Sequence, residues 1–237
     1  GDVKDIAEFE IPEGASNATC LKYFTGLEKL SCGVCSELEV DIDNLNNLTD
    51  LKLVGVKLTT LEEIENLTNL TNLDLECPNL TTLDGIGNLT NLTSVRLVCP
   101  NLTDLGGMEL LPNVTFLSLW CDNMTTLEGI ENVPNVTFLF LRGSNLSALE
   151  GIEKLPNLTE VDLWYCNGLT TLKEIGSLTN LTILKLGCCD NLTTLEGTGA
   201  LSNLVELWIQ GCANMKTLEG TGNLYSQVML LVDNCDK

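Results

Sequence analysis

Apolar residues recur along most of this chain in two alternating phases. In LTNLDL, which begins at Leu70, Leu73 and Leu75 point one way and the residues between them the other, as a half-buried strand requires. In the return that follows such a strand, for example TTLEGIENVPN, Leu127, Ile130 and Val133 fall three apart. That is the spacing of a helical or 3₁₀ turn, and Gly129 and Pro134 limit any regular helix there. The pattern predicts short strands, each followed by a tight return.

The alternation is written many times. LTNLDLECPNLTTLDGIGNLTN (70–91) is followed by LTSVRLVCPNLTDLGGMELLPN (92–113), VTFLSLWCDNMTTLEGIENVPN (114–135) and VTFLFLRGSNLSALEGIEKLPN (136–157), a period of 22 residues. The period is 23 in the units starting at Leu158 and Leu181 and 24 from Leu204. Earlier units start at Leu48 and, less regularly, at Leu27, and a last strand is expected from Val228. About ten units of 21–24 residues therefore cover residues 27–237. One unit cannot bury its own leucines, whereas stacked units share a continuous core. Residues 1–26 do not fit the repeat until Leu21 and Phe24, and an N-terminal cap over the exposed end of the core is their expected role.

A period of 20–29 residues headed by L-x-x-L-x-L is the leucine-rich repeat signature. The chain resembles leucine-rich repeat proteins and, within them, the internalin-like cell-surface proteins of bacteria, through NLTNLTNLDL and returns such as LEGIENV (127–133). It departs from the internalin pattern in carrying Cys or its neighbours where Asn is usual, which is similar to the cysteine-ladder variants. The expected fold is an α/β solenoid: a right-handed leucine-rich repeat superhelix with a parallel concave β-sheet and short 3₁₀ or loop returns on the convex side. Ten strands about 4.8 Å apart would make a sheet about 45 Å long. The resemblance further implies a secreted or cell-surface bacterial protein.

Numbering each unit from its first Leu or Val, positions 4 and 6 are expected inward and positions 3, 5 and 7 outward on the concave face. All three tryptophans and three of the five phenylalanines fall in the outward columns. They cluster between the units starting at Val114 and Leu204 as Phe116, Trp120, Phe138, Phe140, Trp164 and Trp208, among Arg96, Arg142, Glu160, Asp162 and Lys185. Earlier units place mostly small, polar or charged residues there. Aromatics ringed by charges have the make-up of an interface. The expected function is a non-enzymatic recognition module that binds a protein or peptide through this face. Two alternatives remain: a glycan-binding surface, since tryptophans stack on sugar rings, and self-association. Neighbouring aromatics on a sheet also stabilise it by cross-strand contact, worth roughly 0.2–1 kcal/mol a pair.

Composition removes several other classes. With 12 Lys and Arg against 33 Asp and Glu, the net charge is −21, which opposes binding to nucleic acid or anionic lipid. No run of 18 apolar residues suggests membrane insertion, and no charged-then-apolar leader is visible. There is no His, so no Ser-His or Cys-His nucleophile pair exists. Carboxylate pairs such as Glu160 and Asp162 would lie on an open face without a pocket, and neither catalysis nor a cofactor is expected. Of eleven cysteines, Cys35, Cys77, Cys99, Cys121, Cys166, Cys189 and Cys212 form one column just after the strands. A ladder of buried free thiols is expected there rather than a metal site. In the first units, Cys20 paired with Cys32 or Cys35 would give a cap disulfide. About fifteen N-x-S/T sequons arise from the repeat, many of them at its junctions, where a glycan on every unit would crowd its neighbours. The simplest source is a bacterium.

Overall fold

The computed structural model describes residues 5–15, 19–34, 42, 44–143, 145–215, 217–222, 224 and 229–233. Among them one sheet runs through eleven strands in chain order: β1 (Glu8–Ile11), β2 (Lys29–Cys32), β3 (Asp50–Val54), β4 (Asn72–Glu76), β5 (Ser94–Val98), β6 (Phe116–Trp120), β7 (Phe138–Arg142), β8 (Glu160–Trp164), β9 (Ile183–Gly187), β10 (Glu206–Gln210) and β11 (Met229–Asp233). Every neighbouring pair is parallel, and β2 to β10 stack in repeat register, as in Leu73 opposite Leu51 and Val95 opposite Leu73. The solenoid expected from the repeat is the fold observed. It gains one strand that the leucine pattern does not mark, because β1 (EFEI) pairs Phe9 with Leu30 and Ile11 with Cys32.

The strands are short because each return begins at once. Short 3₁₀ turns such as Glu62–Ile64, Ile130–Asn132 and Ile152–Lys154 lie across the core from the sheet. In four of the described returns a glycine with positive φ precedes the turn (Gly85, Gly129, Gly151 and Gly197, φ 96–105°). At Gly129 an added Cβ would meet the carbonyl oxygen of Leu105 in the previous return at 2.6 Å, so stacked units require glycine for space as well as for φ. The turn then drops Leu127, Ile130 and Val133 into the core, all at 1% exposure or less.

The units are stitched at their junctions. The Thr49 carbonyl accepts N–H bonds from both Thr71 (2.8 Å) and Asn72 (3.0 Å), and the same pair recurs from β5 to β9. The sequon asparagines take part: Asn69, Asn91, Asn113 and Asn135 each donate from Nδ2 to a carbonyl of the preceding unit at 2.6–2.9 Å. The asparagine column is thus a structural ladder that satisfies loop carbonyls.

The cysteine column behaves as expected where it is described. Cys77, Cys99, Cys121, Cys166, Cys189 and Cys212 are free and buried; Cys35 lies outside the described residues. Sγ of Cys166 and of Cys189 donates to the carbonyls of Leu141 and Leu163 at 3.6 and 3.5 Å. Burial pushes the Cys77 and Cys121 thiols up to about 12 and Cys99 up to about 11. The first unit differs from expectation: Cys20 is a free, exposed thiol, whereas Cys32 is fully buried and disulfide-bonded. No Cys20–Cys32 bridge is therefore formed. At the far end, β11 pairs Met229, Leu231 and Asp233 with Glu206, Trp208 and Gln210, one residue out of the register expected for a unit starting at Val228.

Candidate functional site

Strands β2 to β10 turn alternate residues away from the leucines, and the register stacks them into three columns across the sheet. From β6 to β10 the first column reads Phe116, Phe138, Glu160, Ile183 and Glu206. The second reads Ser118, Phe140, Asp162, Lys185 and Trp208, and the third Trp120, Arg142, Trp164, Gly187 and Gln210. None of these aromatics belongs to the leucine core. Phe116 and Trp208 are 37% and 40% exposed, and Trp120, Phe138, Phe140 and Trp164 are half-buried.

The half-buried rings cover one another across the strands. Phe116 and Phe138 stack with centroids 4.8 Å apart and planes 3° from parallel. Trp120 and Phe140 meet at 5.8 Å with a 30° tilt. The guanidinium of Arg96 lies 5.0 Å from the Trp120 ring centre and that of Arg142 lies 4.4 Å from it. Trp164 lies over Gly187, where an added Cβ would overlap its ring. On β6 and β7 the rings thus pave the sheet in contacting pairs, Trp164 extends the pavement over Gly187, and Trp208 stands apart on β10 with its Nε1 donating to Glu206 at 3.0 Å.

The polar members are unevenly used. Arg96 is held by Asp74 at 2.6 Å, and Asp74 also contacts Lys52 at 3.5 Å. Lys185 donates to Glu160 and lies 3.6 Å from Asp162 Oδ1. Burial opposes charge on Lys185, but the hydrogen bond to Glu160 and the two carboxylate charges outweigh it and raise its pKa. Asp162, expected to be displayed, is instead 8% exposed in the ladder between Phe140 and Lys185. Its Oδ1 accepts no hydrogen bond. Burial pushes its carboxyl up to about 6, with repulsion from Glu160 adding to the effect and Lys185 opposing it. Asp162 is therefore a floor residue of the site, covered by larger neighbours.

The rim adds a residue that the repeat pattern does not mark. Tyr165 directly follows β8, is 45% exposed, and has φ +57°. Its ring centre is 5.1 Å from the Arg142 guanidinium, on which Trp120 also packs. Only the unit length hints at it: the unit has 23 residues instead of 22, and the extra one stands between the strand and its cysteine, as Trp164-Tyr165-Cys166 shows beside Trp120-Cys121. Trp120, Arg142 and Tyr165 line an open depression with Asp122, Asn145 and Asn167. In the N-terminal half the same face is charged and self-paired, for example Lys29 with Glu8 at 2.9 Å. Among the described residues no group of His, Cys, Asp and Glu could hold a metal ion, and no helix is long and apolar enough to cross a membrane.

A family model described as "Leucine Rich repeats (2 copies)" matches residues 134–177. The fold is the leucine-rich repeat solenoid. No curated protein matches the chain. Among solved structures, internalin C2 of Listeria monocytogenes is similar with a TM-score of 0.66 and 23% identity over 78% of this chain and 82% of that one. A leucine-rich repeat protein of Leptospira interrogans gives 0.61 and 24% over 98% and 74%. A plant peptide hormone receptor, solved in complex with the peptide RGF2, gives 0.51 and 18% over 95% and 46%. Leucine-rich repeat domains are generally scaffolds for protein interaction, presenting an extended concave surface.

Proposed function

We propose that this solenoid is a non-enzymatic recognition module whose aromatic sheet face, from β6 to β10, takes up an extended peptide or a protein segment. The observation that carries the reading is the pavement itself. Six aromatic side chains from four of the five strands β6 to β10 lie outside the leucine core and remain partly open to water. Cross-strand ring packing accounts for the stacked Phe116–Phe138 pair but leaves Trp208 and Tyr165 40% and 45% exposed. Aromatic anchors flanked by arginine are the residues that dominate protein interfaces, each costing 2 kcal/mol or more when truncated. The hormone receptor of the same fold was solved with a peptide bound. The contact set is Arg96, Phe116, Trp120, Phe138, Phe140, Arg142, Glu160, Trp164, Lys185 and Trp208, over a floor that includes Asp162.

The same reading places residues 1–26 as a cap and the protein at a bacterial surface or outside the cell. The sequon ladder supports the bacterial source alone: an N-glycan on each of Asn69, Asn91, Asn113 and Asn135 would stand one strand apart on amides already bonded to the preceding unit. The test is selection of displayed random heptapeptides on the wild-type protein, followed by binding to Phe138→Ala and Trp164→Ala. Recovered peptides should lose at least tenfold in affinity for both variants, while both keep cooperative unfolding. Equal affinity for wild type and variants, or recovery of glycans but no peptides from parallel arrays, would end this reading.

A further inference from the structure

Arg142 differs from every other cation on the aromatic half of the sheet. Arg96 is paired with Asp74, and Lys185 with Glu160 and Asp162. No described carboxylate pairs with Arg142, although the chain carries 33 Asp and Glu. Its guanidinium is packed by Trp120 at 4.4 Å and Tyr165 at 5.1 Å, so rings cover it while its side-chain N–H donors have no acceptor among the described residues. A half-buried, ring-packed guanidinium with unfilled donors suits a planar, two-oxygen acceptor.

The second observation is the backbone of Tyr165. Its φ of +57° falls in the left-handed region, which non-glycine residues rarely adopt. The same place after β9 and after β10 is held by Cys188 with φ +51° and by Gly211 with φ +66°. The left-handed turn thus comes with the extra residue of these longer units, and what is particular to Tyr165 is the ring that the turn sets against Arg142.

We propose that Arg142, clamped between Trp120 and Tyr165, receives the carboxylate of an Asp or Glu side chain on the peptide that lies across the aromatic face. This rests on the recognition reading above and supplies the chemistry of its partner. The partner as a whole need not be acidic, since Asp122 on the rim and Glu160 on the face disfavour a run of negative charge. One acid, seated at Arg142 and flanked by apolar residues over Phe138 and Phe140, is what the arrangement fits.

The test displays random heptapeptides between flanking linkers, so that no chain end is presented, and titrates the winners as capped synthetic peptides. The winners should share one Asp or Glu position. Arg142→Gln should weaken them at least tenfold, Arg142→Lys should restore only part of that loss, and changing the peptide acid to its amide should weaken binding to wild type equally. The amide peptide should then bind wild type and Arg142→Gln alike, a result that a purely structural role for Arg142 would not give. Absence of a shared acid, or the same loss with both peptides, overturns the assignment. A library with free C-termini whose winners fail once amidated would overturn it in favour of a chain-end carboxylate. Peptides that depend on Phe138 but ignore Arg142 leave the recognition reading standing and sink this one; recovery of no peptides sinks both.

Discussion

The ring of Trp164 on β8 lies directly over Gly187 on β9, in the volume a side chain at 187 would fill. Gly187 is buried for this reason, although it belongs to an outward column. Gly187→Ala should drive the indole off the sheet, with a cost of about 1–3 kcal/mol from overpacking. Chemical denaturation would measure the loss, and tryptophan emission should shift to longer wavelength in the folded variant. Unchanged stability and emission would mean that Trp164 does not rest there.

Tyr165 separates stability from binding. Its left-handed backbone costs roughly 1–2 kcal/mol, whereas its cation–π contact with Arg142 contributes about 0.5–1 kcal/mol at an exposed site. Tyr165→Gly should therefore leave stability unchanged or raise it by up to about 1 kcal/mol, while weakening the selected peptides. A clear fall in stability would show that the ring serves the fold.

Asp162 makes stability depend on pH. Its carboxyl titrates near 6 in the folded chain, against an ordinary value of 3.8. Between these values the folded state holds the proton more tightly than the unfolded state. Its contribution is therefore fully present below the lower value and is lost as pH rises through the higher one. Asp162→Asn should flatten the stability profile between about pH 4 and 7. A variant with the same slope as wild type would assign the dependence to another group.

The thiols should sort by burial. Iodoacetamide at mildly alkaline pH should label Cys20, which is exposed, in the folded protein. Cys77, Cys99 and Cys121, with burial raising them to about 12, 11 and 12, should react only after unfolding. Mass spectrometry of partly labelled protein would read the order. Early labelling of Cys121 would contradict a sealed ladder.

The repeat made the architecture readable. Leucines two apart and three apart gave the strand and return phases, and columns built from them placed Phe116, Trp120, Phe138, Phe140, Trp164 and Trp208 outside the core, where the register puts them. Four features escaped the repeat pattern. The burial of Asp162 depends on Phe140 and Lys185 on the flanking strands, which the pattern of β8 alone does not contain. In VMLLV the apolar residues are continuous, so alternation assigns no phase, and the pairing of β11 came out one residue from expectation. Strand β1 carries Phe9 and Ile11 instead of the leucines that mark a unit, so only its hydrogen bonding to β2 reveals it. Tyr165 owes its place to a one-residue insertion and a left-handed turn that its side chain does not advertise.

The account rests on the aromatic sheet face being a binding surface. Titration of a selected heptapeptide into wild type, Trp120→Ala and Phe140→Ala, with melting temperatures measured alongside, tests this most directly. Affinity should fall at least tenfold in both variants while each still melts in one cooperative transition. Undiminished affinity in both would contradict the account and leave the pavement as sheet packing alone.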